Sequence, residues 1–180
     1  MTDKKPSKDE TYWKVLNCAI ELEFKKGHLK WTMTDLSRKS KVTRSLIYYY
    51  FGRSKMSILE EAVKVIGEEF VGMSEKRLTF WREGAFEESL LEARKLYERM
   101  PYLCAFYLNY RQLPNDIGEA LLKLEKAFLR KIANFAPKAS KEEVNTIFAV
   151  YFGICFSPNV GIKEIKIYAQ FIKQIFKGGL

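Results

Sequence analysis

A single histidine, His28, serves all 180 residues, and the three cysteines, Cys18, Cys104 and Cys155, stand far apart with no Cys-x-x-Cys pair among them. That inventory excludes a histidine-based triad, a histidine metal cluster and a structural zinc site. Three isolated cysteines in apolar helical contexts read as buried free thiols of a reducing cytoplasm, and His28 reads as a surface residue of the loop after the first helix. The start of the chain, MTDKKPSKDE, lacks the apolar core of a signal peptide, so a cytoplasmic location is expected. The longest charge-free run, Val144 to Ile162, is broken by Asn145, Thr146, Ser157, Pro158 and Asn159 and is too short to span a bilayer. No carboxylate pair, activated nucleophile or phosphate-cradling glycine loop stands out, so neither an enzyme nor a cofactor is expected. There is no repeat, no low-complexity tract and no strand pair. An all-α fold is the expectation.

Positive charge is present in excess, and it is unevenly spread. The net charge is +9, and residues 1–55 hold 13 Lys and Arg against 6 Asp and Glu, leaving only +2 for the other 125 residues. Concentration of charge at one end is the electrostatic footprint of a nucleic-acid-binding module.

Residues 32–55 sit within that basic end. Thr32 with Asp35 makes a Thr-x-x-Asp capping box, predicting a short helix from Met33 to Ser40 with Leu36 inward and Arg38 and Lys39 outward. Thr43 caps a second short helix a few residues later, which is the spacing of a helix-turn-helix. Val42 and Ile47 supply its apolar wedge and Phe51 closes it, while Arg44, Ser45, Leu46 and Tyr48 remain free to project. Tyrosines beside basic residues on an exposed helix suit a DNA groove better than catalysis.

Residue by residue, this segment resembles the N-terminal domain of the TetR family of bacterial transcription regulators. The resemblance rests on Phe24-Lys25-Lys26-Gly27, Thr32 with Leu36-Ser37, Lys41-Val42-Thr43, Ile47-Tyr48-Tyr49-Tyr50-Phe51 and Ser54-Lys55, covering roughly Thr11 to Leu59. Lys41 stands where the family usually has a turn glycine, and Arg53 looks like a one-residue insertion. The resemblance implies double-stranded DNA as partner, contacted by Thr32, Thr43, Arg44, Ser45, Leu46, Tyr48, Tyr49, Arg53 and Lys55, with Tyr49 and Lys55 on phosphates. It also implies a helix-turn-helix domain at 1–55 and a helical effector-binding and dimerisation domain at 56–180.

Periodicity carries the rest. A polar arm (1–10) precedes a helix from Thr11 to Lys26 with Trp13, Leu16, Ile20 and Phe24 as its buried stripe. Ser54 caps a long fourth helix with Leu59, Ala62, Ile66 and Phe70 inward, and a break follows at 82–85. Helices are then predicted at Phe86–Met100, from Pro101, at Ile117–Phe135 after Asn115, at Lys141–Phe156 and at Ile162–Phe176. The apolar helix Lys141–Phe156 needs more cover than one stripe provides. By the family's pattern, Lys141–Phe176 forms a four-helix homodimer interface; completion of the monomer core is the alternative. The resemblance further implies a small apolar effector. Its candidate pocket residues are Tyr102, Phe106, Tyr107, Tyr110, Phe128, Phe148, Tyr151 and Phe152, with Asn109 as a further polar anchor. Such aromatics also read as core. The functional expectation is a dimeric repressor on a palindromic operator; the alternative is a protein–protein interaction module that no longer reads DNA.

Overall fold

The computed structural model describes residues 8–70, 75–157 and 159–178, and among them it contains helices and no strand. The expectations for the arm at residues 1–7, and for the side chains of Phe70, Cys155 and Phe156, lie outside the described residues. The helices are α1 (Lys8–Lys26), α2 (Met33–Ser40), α3 (Arg44–Phe51), α4 (Lys55–Val65), α5 (Glu75–Arg82), α6 (Phe86–Arg99), α7 (Leu103–Tyr110), α8 (Asp116–Phe135), α9 (Lys141–Phe156) and α10 (Ile162–Gly178).

Capping chemistry sets many of these boundaries. Thr32, Thr43, Ser54, Asn115 and Ser140 each accept a backbone N–H from the first turn of the helix that follows. Where caps are absent the boundaries moved. α1 begins at Lys8, not Thr11, with Asp9 and Glu10 in its first turn favoured by the helix dipole. Pro101 precedes α7 in a turn rather than opening it. The long fourth helix ends at Val65 and passes into a π-helical turn, Ile66–Phe70. Within that turn a Cβ on Gly67 would lie 2.9 Å from Leu124 Cδ2, the end of a flexible side chain on α8, so a larger residue there requires that leucine to shift.

α1 packs against α2, α4 and α7, while α6 packs against α9 and α10, and α8 bridges α4 and α9. Buried side chains form a continuous cluster from Val15 through Leu59 and Leu121 to Ile175. The stripe expected on α1 is shifted. Leu16 and Ile20 are fully buried, Trp13 is half-buried, and Phe24 is 46% exposed. Each step of four residues turns the helix about 40° past a full circle, so the row drifts off the buried face. Val15, Ala19, Leu22 and Glu23 hold that face instead. No helix among the described residues is long and apolar enough to cross a membrane.

Candidate nucleic-acid interface

α2 and its turn are fixed by local hydrogen bonds. Asp35 N donates to Thr32 Oγ1 at 3.1 Å and Thr32 N donates to Asp35 Oδ2 at 2.8 Å, the reciprocal pair of a capping box. Lys26 Nζ lies 3.0 Å from the same carboxylate, and these contacts hold the Asp35 carboxyl down at about 2. Lys41 ends α2 in the left-handed conformation, φ 54° and ψ 32°. It takes up the backbone geometry that glycine would adopt more easily. Ser37 Oγ donates to Val42 O at 2.7 Å and closes the turn.

α3 is held by its inner side and offers the rest. Ile47 is fully buried, and Phe51 stacks on Tyr12 of α1 at 5.2 Å between ring centroids. Tyr12 Oη donates to Glu61 Oε1 at 2.6 Å, which ties α1 to α4 behind the α3 rod. Thr43, Arg44, Ser45, Leu46 and Tyr49 are exposed, Tyr49 by 73%, and Tyr48 is half-buried with the Arg53 guanidinium 5.9 Å from its ring. Among the described residues Arg38, Lys41 and Arg44 are exposed and make no ion pair. No acidic residue occupies the first turn of α3, so the positive end of its dipole adds to Arg44 unopposed. Thr32 is exposed, with its hydroxyl committed to the α2 cap.

Lys55 points elsewhere. Its ammonium donates to Leu29 O and, at 3.0 Å, to Trp31 O, and it lies 5.8 Å from the Trp31 ring. Two of its three donors are thus spent on the loop between α1 and α2 instead of facing outward.

That loop has a second anchor, which pattern reading missed. The fully buried Glu23 carboxylate accepts from Trp31 Nε1 at 2.5 Å, from Leu29 N at 3.1 Å and from the hydroxyl of Tyr110, and His28 Nδ1 lies 2.8 Å away. A buried carboxylate is tolerated when donors surround it in this way. The signal in the sequence was a glutamate on the apolar face of α1 with Trp31 just downstream. His28 is exposed, as expected of a loop residue, yet it belongs to this cluster.

Five candidate pocket residues, Tyr107, Phe128, Phe148, Tyr151 and Phe152, pack ring against ring, whereas Tyr102 packs against Phe24 of α1. Phe106, Tyr107, Tyr110, Phe128 and Tyr151 are buried, while Tyr102, Phe148 and Phe152 are half-buried. Phe106 stacks on Tyr110 at 4.7 Å, Tyr107 meets Phe152 at 5.5 Å, and Phe128 meets Tyr151 at 5.6 Å and Phe148 at 5.7 Å. The hydroxyl of Tyr107 donates to Glu125, which Arg111 clamps at 2.7 and 2.8 Å. Asn109 is exposed. Three clefts open nearby, none lined by these eight residues: one of about 480 Å³ at Tyr12, Trp13 and Glu61, one of about 380 Å³ at Phe86 and Lys173, and one of about 510 Å³ at Phe80 and Ile165. Cys18 and Cys104 are half-buried free thiols, and burial pushes both thiol pKa values up, which makes them poor nucleophiles.

No family model matches the sequence, and no curated protein matches it either. A search of solved structures finds a crystal structure of a TetR family transcriptional regulator, PfmR from Thermus thermophilus. It is similar over 97% of this chain and 98% of that chain, at 16% identity and a TM-score of 0.52. From the capped helix-turn-helix to the paired last helices, the chain has the fold of a TetR family transcriptional regulator.

Proposed function

We propose that this protein is a dimeric, sequence-specific DNA-binding regulator of transcription, a repressor, whose α3 enters the major groove. The observation that carries the reading is the presentation of α3: Ile47 and Phe51 lock its inner side while Arg44, Ser45 and the 73% exposed Tyr49 face solvent within the most basic part of the chain. Arg44 and Tyr48 reach base edges, and Tyr49, Arg53, Thr43 and the α3 N-terminus take phosphates. Direct readout of that kind needs a helix held proud of its neighbours.

Dimerisation through α9 and α10 is part of the same proposal. Thr146, Ala149 and Gly153 form an exposed row on α9, and a Cβ built on Gly153 meets nothing within 4 Å. On α10, Ile167 is 64% exposed beside Gln170 and Gln174. Small residues on one helix and an unsheltered isoleucine on the other suit close approach of a second copy. Two heads about one helical turn apart then read a near-palindrome. A ligand in the body acts by favouring a dimer in which that spacing is lost, a coupling typically of about 1–3 kcal/mol.

The test is a gel shift with genomic fragments, with sedimentation at micromolar concentration alongside. Retarded fragments and a dimer support the proposal; indifference to every fragment overturns the regulator, and a monomer overturns the dimer.

A further inference from the structure

The basic end of the chain borders one acidic cleft. It has a volume of about 480 Å³, lies where α1 packs on α4, and is walled by three aromatic rings, Tyr12 and Trp13 of α1 and Tyr50 of α3. Tyr12 and Trp13 meet edge to face, 5.6 Å between centroids and 89° apart, so the two rings form a corner. Three carboxylates line the same cleft, Asp9, Glu61 and Glu68, against a single ammonium, Lys64. Glu61 is engaged by Tyr12 Oη at 2.6 Å and by Lys64 Nζ at 3.3 Å. Asp9 and Glu68 are exposed and make no ion pair among the described residues. All three acids are felt at one group: the Tyr12 phenol is pushed up by burial first, then by its bond to Glu61 and by the charges of Glu61, Glu68 and Asp9. Next to Trp13 a smaller cleft holds Asp9 and Glu10 against Lys14 and Arg99. The Arg99 guanidinium lies 5.3 Å from the Trp13 ring centroid but does not line the larger cleft, so this indole already takes a cation from outside it.

We infer that the larger cleft binds an organic cation with a compact apolar body, a quaternary ammonium or a protonated amine, seated among Tyr12, Trp13 and Tyr50. Ring faces attract a cation through their quadrupole, indole best and phenol next, and carboxylates at the rim answer its charge at longer range. Lys64 repels such a ligand, but its ammonium sits at Glu61, which offsets it and leaves Asp9 and Glu68 as the surplus. An anion would face that surplus, and an uncharged ligand would gain nothing from it. Among the described residues no group of acids, histidines or cysteines is gathered closely enough to hold a metal ion, so the rings and the rim fit an organic cation better. The volume falls in the range of small-molecule sites. The site lies apart from the aromatic cluster of α7, α8 and α9, and only its regulatory consequence rests on the proposed regulator. Tyr50 stands on α3 itself, and Tyr12 stacks on Phe51, so the cleft abuts the inner side of the helix proposed to read DNA. A cation seated there alters how α3 is held and lowers DNA affinity.

Nitrogen-15 NMR of the full-length protein, without DNA, tests the site through the indole N–H peaks of its three tryptophans, with Trp13→Phe assigning the peak of Trp13. The probes are benzyltrimethylammonium and its uncharged near-isostere dimethylbenzylcarbinol. The ammonium shifts the Trp13 peak saturably, and the carbinol binds at least about tenfold more weakly. Replacing the two exposed acids together, Asp9→Asn with Glu68→Gln, weakens the ammonium about tenfold and leaves the carbinol unchanged. A Trp13 peak that does not move, equal affinity for the two probes, or unaltered ammonium affinity in the double variant each overturn the inference. Should the double variant not fold, the two probes on the unaltered protein decide. A gel shift is read separately. Absence of DNA binding without ligand defeats the regulator, whereas the Trp13 titration decides the cation site by itself. Saturating benzyltrimethylammonium weakens DNA binding about fivefold or more in the parent and not in the double variant. An equal loss in both proteins is an effect of salt and overturns the link to α3.

Discussion

The hydroxyl of Tyr110, on α7, donates to the carboxylate of Glu23, on α1, across 87 positions of sequence. The same carboxylate holds Trp31 and Leu29 in the loop that leads into α2, so one buried acid joins α7 to the entry of the helix-turn-helix. Tyr110→Phe removes one donor to a buried charge and is expected to lower unfolding free energy by about 1–3 kcal/mol. Urea denaturation measures it, and a change below about 0.5 kcal/mol would mean that the remaining donors satisfy Glu23 alone.

Alkaline pH should loosen the same joints. Burial, followed by donation to Glu61, Glu125 and Glu23, pushes the phenol pKa values of Tyr12, Tyr107 and Tyr110 upward. In the unfolded chain these phenols ionise near pH 10, whereas in the fold they stay protonated to higher pH. Their contribution is therefore complete below about pH 10 and is lost progressively above it. In Tyr110→Phe the decline of stability above pH 10 should be shallower; an unchanged slope would contradict the assignment.

Lys41 offers a gain. Its left-handed backbone at φ 54° is strained for a residue with a Cβ, so Lys41→Gly is expected to stabilise the protein by about 1 kcal/mol despite the flexibility glycine adds to the unfolded chain. A thermal midpoint that falls in Lys41→Gly would show that the lysine side chain makes up for the strain.

Lys55 and Arg44 separate structural from reading roles. Lys55→Ala strips donors from two loop carbonyls and should cost about 1–3 kcal/mol of stability with little change in the salt dependence of DNA binding. A fall of about one unit in the salt slope would return Lys55 to a phosphate. Arg44→Ala should cost about 1–3 kcal/mol at one base pair and relax preference there. A base-substitution scan with the same profile before and after would refute the base contact.

How much of this was legible in the sequence depended on range. The capping pairs Thr32–Asp35 and Thr43–Leu46 act within three residues, so α2 was readable to the residue and α3 to within one, Arg44–Phe51 against an expected Thr43–Tyr50. The inward turn of Lys55, 24 and 26 positions from its acceptors, was not, because nothing local distinguishes it from a lysine facing a phosphate. Glu23 was missed for the same reason: its burial is decided by a distant element, α7. The aromatics of α7, α8 and α9 were recognised as a group, but spacing cannot separate packed rings from rings around a ligand.

Selection of genomic fragments on the purified protein, followed by base-resolution footprinting, tests the central claim most directly. The account predicts a shared near-palindrome, protected in two major-groove half-sites about one helical turn apart, and loss of its half-site preference in Arg44→Ala. Fragments enriched no more than random duplex, or enriched equally by a chain whose α3 surface has been replaced, would contradict it.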